Sequence, residues 1–182
     1  MSGDMMQRET QSKNTLKQPV QKVVHKVLRP VPLLLYQPLL KRIVRRISGK
    51  YPSLFQRLGP HTDKSFLIDP VNMPFVLVLQ PNPERPRLRA YRSAEHLRCE
   101  ASISGTFLTL LDMVDGRIDG DAIFFTRDLK IEGDTEAIVS LRNALDNIDG
   151  SLADEIADIY GGAGRLMLKA VRRLQQRKNE NG

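Results

Sequence analysis

Histidine, cysteine and carboxylate side chains are the groups in this sequence that could bind a metal ion or take part in nucleophilic chemistry. The three histidines, His25, His61 and His96, lie far apart, and no HxH, HxxxH or CxxC spacing occurs. Zinc sites are typically built on such short spacings. The one cysteine, Cys99, falls on the apolar side of an alternating segment, where a free cysteine usually behaves as a small hydrophobic residue. These residues predict neither a metal centre nor a nucleophile.

Two glycine-rich segments suggest ion binding but lack the residues that it requires. "DGRIDGD" (115–121) is similar to the start of a calcium loop, yet Arg117 would stand at the third position and Thr126 at the twelfth, where a glutamate is needed. "GGAGR" (161–165) is similar to a phosphate cradle, but it follows a predicted helix and lacks the Lys-Ser/Thr pair. We interpret these segments as a turn and a hinge.

Acidic residues could also supply a catalytic pair for acid–base chemistry. Asp119, Asp121 and Asp128 lie close together in the sequence, but no neighbouring group points to a reaction. We therefore predict a protein that is not an enzyme and that has no catalytic residue, metal ion or cofactor.

Apolar side chains are concentrated on particular faces instead. In "TFLTLLDMVDG" (106–116), the residues Phe107, Leu110, Leu111 and Val114 follow the i, i+3, i+4, i+7 spacing of a helix face. Phe124 and Phe125 are adjacent, so they cannot both face the same side of a regular strand. Two interpretations remain open: an ordinary two-layer core, or a helix and a sheet held apart around a hydrophobic cavity.

Strand patterns occupy the middle of the chain, after a turn-rich segment at 58–73. "PFVLVLQP" (74–81) is a short apolar run, whereas "PRLRAYR" (86–92) and "HLRCEASIS" (96–104) alternate. The segment 122–133 fits either two strands with a tight turn or one strand with a bulge. Short connections between these segments favour antiparallel neighbours.

Helical patterns flank these strands. A helix over 38–49 is predicted, with Pro38 in its first turn and Gly49 at its end. Asp134 or Thr135 should cap a helix whose apolar positions include Ile138, Leu141, Leu145 and Ile148. Ser151 and Asp154 form a capping-box pattern for a helix to Tyr160, and a basic amphipathic helix follows the glycines at 161–162.

Composition indicates one domain with appendages. The chain has 182 residues, 41% of them hydrophobic, and single domains commonly have about 100–200 residues. A single cysteine excludes an internal disulfide and fits a reducing compartment. The polar N-terminus lacks the apolar stretch of a secretory signal, and no run approaches the ~18 apolar residues that span a bilayer. We predict a cytoplasmic protein.

The net charge of +7 is unevenly distributed. Residues 1–58 carry +10, residues 59–164 carry −8, and residues 165–182 carry +5. Nucleic-acid-binding domains usually carry positive charge on the folded body, so nucleic acid is an unexpected partner here. Basic ends on an acidic body instead predict that the ends hold an anionic surface.

One stretch resembles a known family. "FFTRDLKIEGDTEA" (124–137) resembles the signature near the end of the sterol carrier protein type 2 domain, where a strand ending in Gly-Asp leads into a helix. The preceding "SISGTFLTLLDMVDGRIDGDAIFF" is similar to the helix of that domain and its approach to the strand. The segment 66–92 and the basic helix before it are similar to the members of this family that are accessory factors in bacterial ubiquinone biosynthesis.

This resemblance implies an α+β fold with a five-stranded, largely antiparallel sheet, helices over one face and a hydrophobic lipid tunnel between them. It also implies a carrier of polyprenylated ubiquinone intermediates, or of similar lipids, that works in oxygen-independent synthesis with peptidase-like iron–sulfur hydroxylases. We expect a tail at 1–20, a basic amphipathic segment at 21–59, the lipid-binding domain at 60–150 and a helical extension at 151–182. The alternatives are a general lipid-transfer protein and a protein-interaction scaffold with a closed core.

Two candidate sites follow. We expect the lipid cavity to be lined by Phe107, Leu111, Phe124, Phe125, Ile131, Ile138, Leu141 and Leu145. We expect anionic head groups of the inner membrane to contact Lys41, Arg42, Arg45 and Arg46, one face of the predicted helix 38–49. On its other face, Leu39, Ile43 and Ile47 either enter the acyl boundary or pack on the domain.

Overall fold

A five-stranded sheet organises the fold. The computed structural model describes residues 33–116, 128–146, 148 and 151–180, except for the side chains of residues 174, 175 and 177–180. The strands are β1 (Phe66–Pro70), β2 (Val76–Gln80), β3 (Arg87–Tyr91), β4 (Ala101–Gly105) and β5 (Leu129–Gly133). Their order is β3-β2-β1-β4-β5, with β1 and β4 parallel and the other neighbours antiparallel. The predicted α+β fold with a largely antiparallel sheet is therefore confirmed.

Helices precede and follow the strands in the sequence, and a helix also lies between β4 and β5. They are α1 (Leu33–Lys50), α2 (Ser53–Leu58), α3 (Phe107–Val114), α4 (Thr135–Leu145), α5 (Leu152–Ile159) and α6 (Gly161–Glu180), with a 3₁₀ turn at Gly59–His61. Two predicted caps are confirmed, because Asp134 accepts a hydrogen bond from the Ala137 N–H and Ser151 accepts one from the Asp154 N–H.

The hydrophobic core lies between one face of the sheet and the helices. Side chains alternate along a strand, so Phe66, Ala101 and Ile103 turn to the helices, whereas Ser102 and Ser104 point to the other side. The buried core consists of Ile47, Leu54, Leu58, Phe66, Ala101, Ile103, Leu110, Met113, Leu129, Ala137, Ile138, Leu141, Ala144 and Ile148. Each of the helices α1 to α4 contributes to it.

Strand β1 corrects the expectation of turns at 58–73. Ser65, Asp69 and Pro70 interrupt the apolar pattern of this segment, which hides the strand in the sequence. In the fold, β1 is the central strand, and it pairs with β2 on one side and β4 on the other. Its parallel neighbour β4 is brought to it from a distant position in the chain, which a local pattern cannot reveal.

The predicted strand at 96–104 was wrong in its first half. β4 begins at Ala101, because its parallel partner β1 pairs with it only from Phe66↔Ala101 to Pro70↔Gly105. The preceding residues turn instead, with the Leu97 N–H donating to the Ala94 carbonyl at 2.9 Å. His96 is exposed in this turn.

Two helix starts also differ from the prediction. Pro38 lies inside α1 rather than in its first turn, and α6 begins at Gly161 rather than after the glycine pair. The proline removes one backbone donor, which would otherwise bond the carbonyl of Leu34, a residue that is exposed at the start of the helix. The predicted tail at 1–20 and the first half of the segment 122–133, residues 122–127, lie outside the described residues.

Candidate functional site

Four of the predicted lipid-binding residues meet between α4 and the sheet. Ile138 and Leu141 on α4 belong to the buried core, and Ile138 is only 2% exposed. Ile131 on β5 and Leu145 on α4 are partly buried and pack against that core. The structure thus places these four side chains in one apolar interior.

Two more of the predicted residues lie on α3, at the margin of this interior. The helix buries Thr109, Leu110 and Met113, while Phe107 and Leu111 are half-buried. The start of α3 is fixed by Asn72, whose side-chain oxygen accepts a hydrogen bond from the Phe107 N–H at 2.8 Å. Phe107 and Leu111 therefore keep apolar surface that the core does not use.

The last two predicted residues, Phe124 and Phe125, lie outside the described residues. Their assignment to the lipid cavity, and the tunnel itself, remain predictions. What the described residues establish is an apolar layer with α3 at its edge.

A polar corner fixes the direction of α4. Asp134 caps the helix through the Ala137 N–H at 2.9 Å and pairs with Lys64. The hydrogen bond from Lys64, followed by that from Ala137, lowers the pKa of the Asp134 carboxyl. The Lys64 Nζ also lies 2.9 Å from Nδ1 of the buried His61. Sequence reasoning missed Lys64 and His61, because about 70 residues separate them from Asp134.

A second polar contact joins the segment before β4 to the start of β1. The Glu100 carboxylate accepts hydrogen bonds from the Ser65 hydroxyl at 2.6 Å and the Ser65 N–H at 2.7 Å. The hydrogen bond from the Ser65 side chain is the main reason that the pKa of Glu100 is lowered. Both corners therefore position the sheet and α4 around the apolar interior.

The described side chains offer little for catalysis. Burial raises the pKa of the Cys99 thiol, which disfavours the nucleophilic thiolate. Among the residues that the structure describes, no group of three or more His, Cys, Asp or Glu side chains is placed to hold a metal ion.

The predicted membrane-binding cations line a groove between α1 and α5. Its volume is about 740 Å³, and its walls are Pro38, Lys41, Arg42, Arg45, Arg46, Glu155, Asp158 and Ile159. We call this the basic groove. All four cations are exposed, and within the described ranges none of them forms an ion pair with a carboxylate.

The acids of the basic groove are paired with other cations. Glu155 pairs with Lys50 and accepts a hydrogen bond from Tyr51, and the Lys50 hydrogen bond lowers the pKa of Glu155. Asp158 pairs with Arg165 at 3.0 Å. Sequence reasoning missed these acids, although their i, i+3 spacing on a predicted helix is a signal for a shared face.

The apolar side of α1 packs on the domain. Val44 and Ile47 are buried, and Ile43 packs against the core. The expectation that Ile43 and Ile47 enter the acyl boundary is therefore wrong, because both are already covered by protein. Leu39 is half-buried, and its carbonyl accepts a hydrogen bond from the Tyr160 hydroxyl at 3.1 Å. Of the two alternatives for this helix, packing on the domain is the correct one.

Among the described residues, no helix is both long and apolar enough to span a bilayer.

Comparison with known families identifies the domain. Residues 40–146 match the SCP-2 sterol transfer family, which is more than half of the chain. The chain belongs to this family, whose members are lipid carriers rather than enzymes. No curated protein matches the chain significantly.

One solved structure shows the same fold. The chain is similar to the UbiJ-SCP2 ubiquinone synthesis protein, with 13% identity and a TM-score of 0.52 over 64% of this chain and 93% of that one. It is also similar to sterol carrier protein 2 from Yarrowia lipolytica in its apo form, with 11% identity and a TM-score of 0.44 over 64% and 94% of the two chains. At such low identity the first likeness establishes the fold and nothing further.

Proposed function

We propose that the protein is a non-catalytic carrier that holds polyprenylated ubiquinone intermediates, or similar lipids, in its apolar interior. The main support is the family match over residues 40–146. The half-buried Phe107 and Leu111 beside the core agree with it, because a ligand would need apolar surface that the core leaves uncovered. A buried CH₂ is worth about 0.8 kcal/mol, so one five-carbon prenyl unit in water costs roughly 3–4 kcal/mol. An apolar interior offers such a tail nearly the same environment as a bilayer.

A role in ubiquinone synthesis is the finer part of the proposal. It is supported by the resemblance of residues 66–92 and of the basic helix to UbiT, the accessory factor of oxygen-independent ubiquinone synthesis. A carrier without an iron–sulfur ligand set would hand its cargo to separate enzymes, and the ubiquinone-biosynthesis hydroxylases are the proposed recipients.

The basic groove is the proposed contact with the membrane. Lys41, Arg42, Arg45 and Arg46 would lie among anionic head groups, and each contributes about 1 kcal/mol near such a surface. Four cations are enough for weak, reversible docking. The protein would then be cytoplasmic and peripheral on the inner membrane.

Native mass spectrometry of the full chain tests the carrier proposal. We expect one lipid per chain after gentle purification, with extracted species whose masses differ by whole five-carbon units. A protein that stays empty after incubation with vesicles containing polyprenylated quinone would contradict the proposal. Bound phospholipid without any prenylated species would favour a general lipid-transfer protein instead.

A further inference from the structure

Helix α6 packs on the rest of the described protein along one side. Gly164 lies against the Ala157 carbonyl of α5, so closely that a side chain at this position would overlap it. Just over two helical turns beyond, Arg172 donates to Asp154 at 2.7 Å and to the Ser151 hydroxyl at 3.1 Å. Leu168 and Val171 are half-buried on the same side. The inner side of α6 is thus covered by protein over residues 164–172.

The outer side of α6 carries an apolar stripe. Leu166 is 71% exposed and Met167 is 69% exposed, so two large apolar side chains adjoin on this surface, and a contiguous exposed apolar patch is a common sign of a binding surface. Ala163 and Ala170 are exposed as well. These four residues have the spacing i, i+3, i+4, i+7, so they form one continuous face. We call it the α6 stripe.

Cations lie beside the α6 stripe, and their positive charge limits which partners can bind there. Arg165, Lys169 and Arg173 are exposed beside it, and residues 165–182 carry a charge of +5. A second copy would bring like charges together at the stripe, which opposes self-association. An anionic bilayer complements both features, because it offers negative head groups above an apolar boundary.

The α6 stripe is close to the basic groove. Asp158 lines the groove and pairs with Arg165, the residue next to Leu166. Tyr160, just before α6, is hydrogen-bonded to Leu39 of α1. The groove and the stripe are therefore neighbours in the described protein, as contact with one membrane requires.

We propose that α6 is the element that enters the membrane interface. Leu166 and Met167 insert at the acyl boundary of an anionic bilayer, while the cations of the basic groove on α1 contact its head groups. This goes beyond the carrier proposal, since α6 lies outside residues 40–146 and its insertion does not depend on a cargo.

A single tryptophan tests the insertion directly, because the chain contains none. In the full chain, Met167→Trp places the probe on the α6 stripe, and Val71→Trp places it at an exposed apolar position on the β1–β2 turn. With phosphatidylglycerol–phosphatidylcholine vesicles, we expect a blue shift of the Met167→Trp emission and quenching by brominated acyl chains. The Val71→Trp emission should not shift. Equal responses of the two probes, or none, would overturn the proposal.

Vesicle co-sedimentation tests the contribution to binding. The double substitution Leu166→Ser/Met167→Ser should weaken binding to the anionic vesicles by tenfold or more, since each inserted apolar side chain contributes on the order of tenfold. Val71→Ser is the matched control and should bind like the wild type. Wild-type-like binding of the double variant would overturn the proposal, as would a wild type that does not bind anionic vesicles. Loss of the lipid cargo in mass spectrometry would leave these expectations unchanged, so the two proposals fail separately.

Discussion

Gly133 is the residue on which the corner between β5 and α4 depends. Its φ angle is +78°, which side chains rarely adopt, and a Cβ atom here would overlap the Glu100 carbonyl and lie 3.2 Å from its carbon. Only glycine lets the strand end and the chain turn directly into the Asp134 cap.

We predict that Gly133→Ala lowers the free energy of unfolding by about 3 kcal/mol, from backbone strain and overlap together. Urea denaturation measures the change. Gly49→Ala is the control, because the residue is helical and nothing beyond its chain neighbours and its own helix backbone lies within 4 Å of the added methyl group. That variant should be neutral or more stable by about 0.5–1 kcal/mol. Equal destabilisation by both changes would contradict the account of this corner.

At the scale of single residues, hydrogen bonds between near neighbours in the sequence are predictable, whereas contacts between distant residues are not. The Asp134 and Ser151 caps were predictable, because a cap and its N–H partner are three residues apart. The Lys64–Asp134 and Ser65–Glu100 pairs were not, because they join residues about 70 and 35 positions apart. Residues so far apart in the sequence meet only because the topology of the sheet brings them together.

At the scale of elements, Asp115 connects three helices. It ends α3, and its side chain, only 3% exposed, accepts hydrogen bonds from the Ser151 hydroxyl at 2.8 Å and the Ala153 N–H at 3.1 Å. Arg172 of α6 lies 3.9 Å away. One carboxylate therefore holds the end of α3, the start of α5 and the inner side of α6 together.

Asp115→Ala should lower the free energy of unfolding by about 2 kcal/mol, since buried hydrogen bonds to a charged group are lost. Thermal and urea denaturation measure this. Asp158→Ala removes a carboxylate whose pair with Arg165 is exposed, so it should change stability by less than about 0.5 kcal/mol. If the two variants unfold alike, Asp115 does not connect these helices.

Elements with a local signature were predicted from the sequence, and those that depend on distant partners were not. The helical spacing of Ile138, Leu141 and Leu145 indicated α4. The central strand β1 was missed and β4 was predicted too long, because the length of each is set by the parallel pairing of the two. The sequence pattern of α1 allows its apolar side to face either a membrane or the domain. Only the packing of Ile47 in the core shows that it faces the domain.

For the whole molecule, the carrier proposal requires that folding stability and lipid binding depend on different residues. Ile138 is 2% exposed in the core, whereas Leu111 is half-buried at its margin. A side chain that is fully covered by protein contributes mainly to folding, and one that is half-covered can complete its burial on a ligand.

We therefore predict that two alanine variants of the full chain change different properties, one the stability and the other the lipid content. Ile138→Ala should lower the free energy of unfolding by about 2–5 kcal/mol, because it leaves a cavity in the core. Leu111→Ala should cost about 1 kcal/mol or less in the lipid-free protein, yet reduce the amount of lipid extracted per chain. Urea denaturation of delipidated protein and mass spectrometry of the extract measure the two effects separately. A Leu111→Ala protein that keeps its full lipid content would place the cargo away from α3, and the interior between α3 and α4 would then be a core alone.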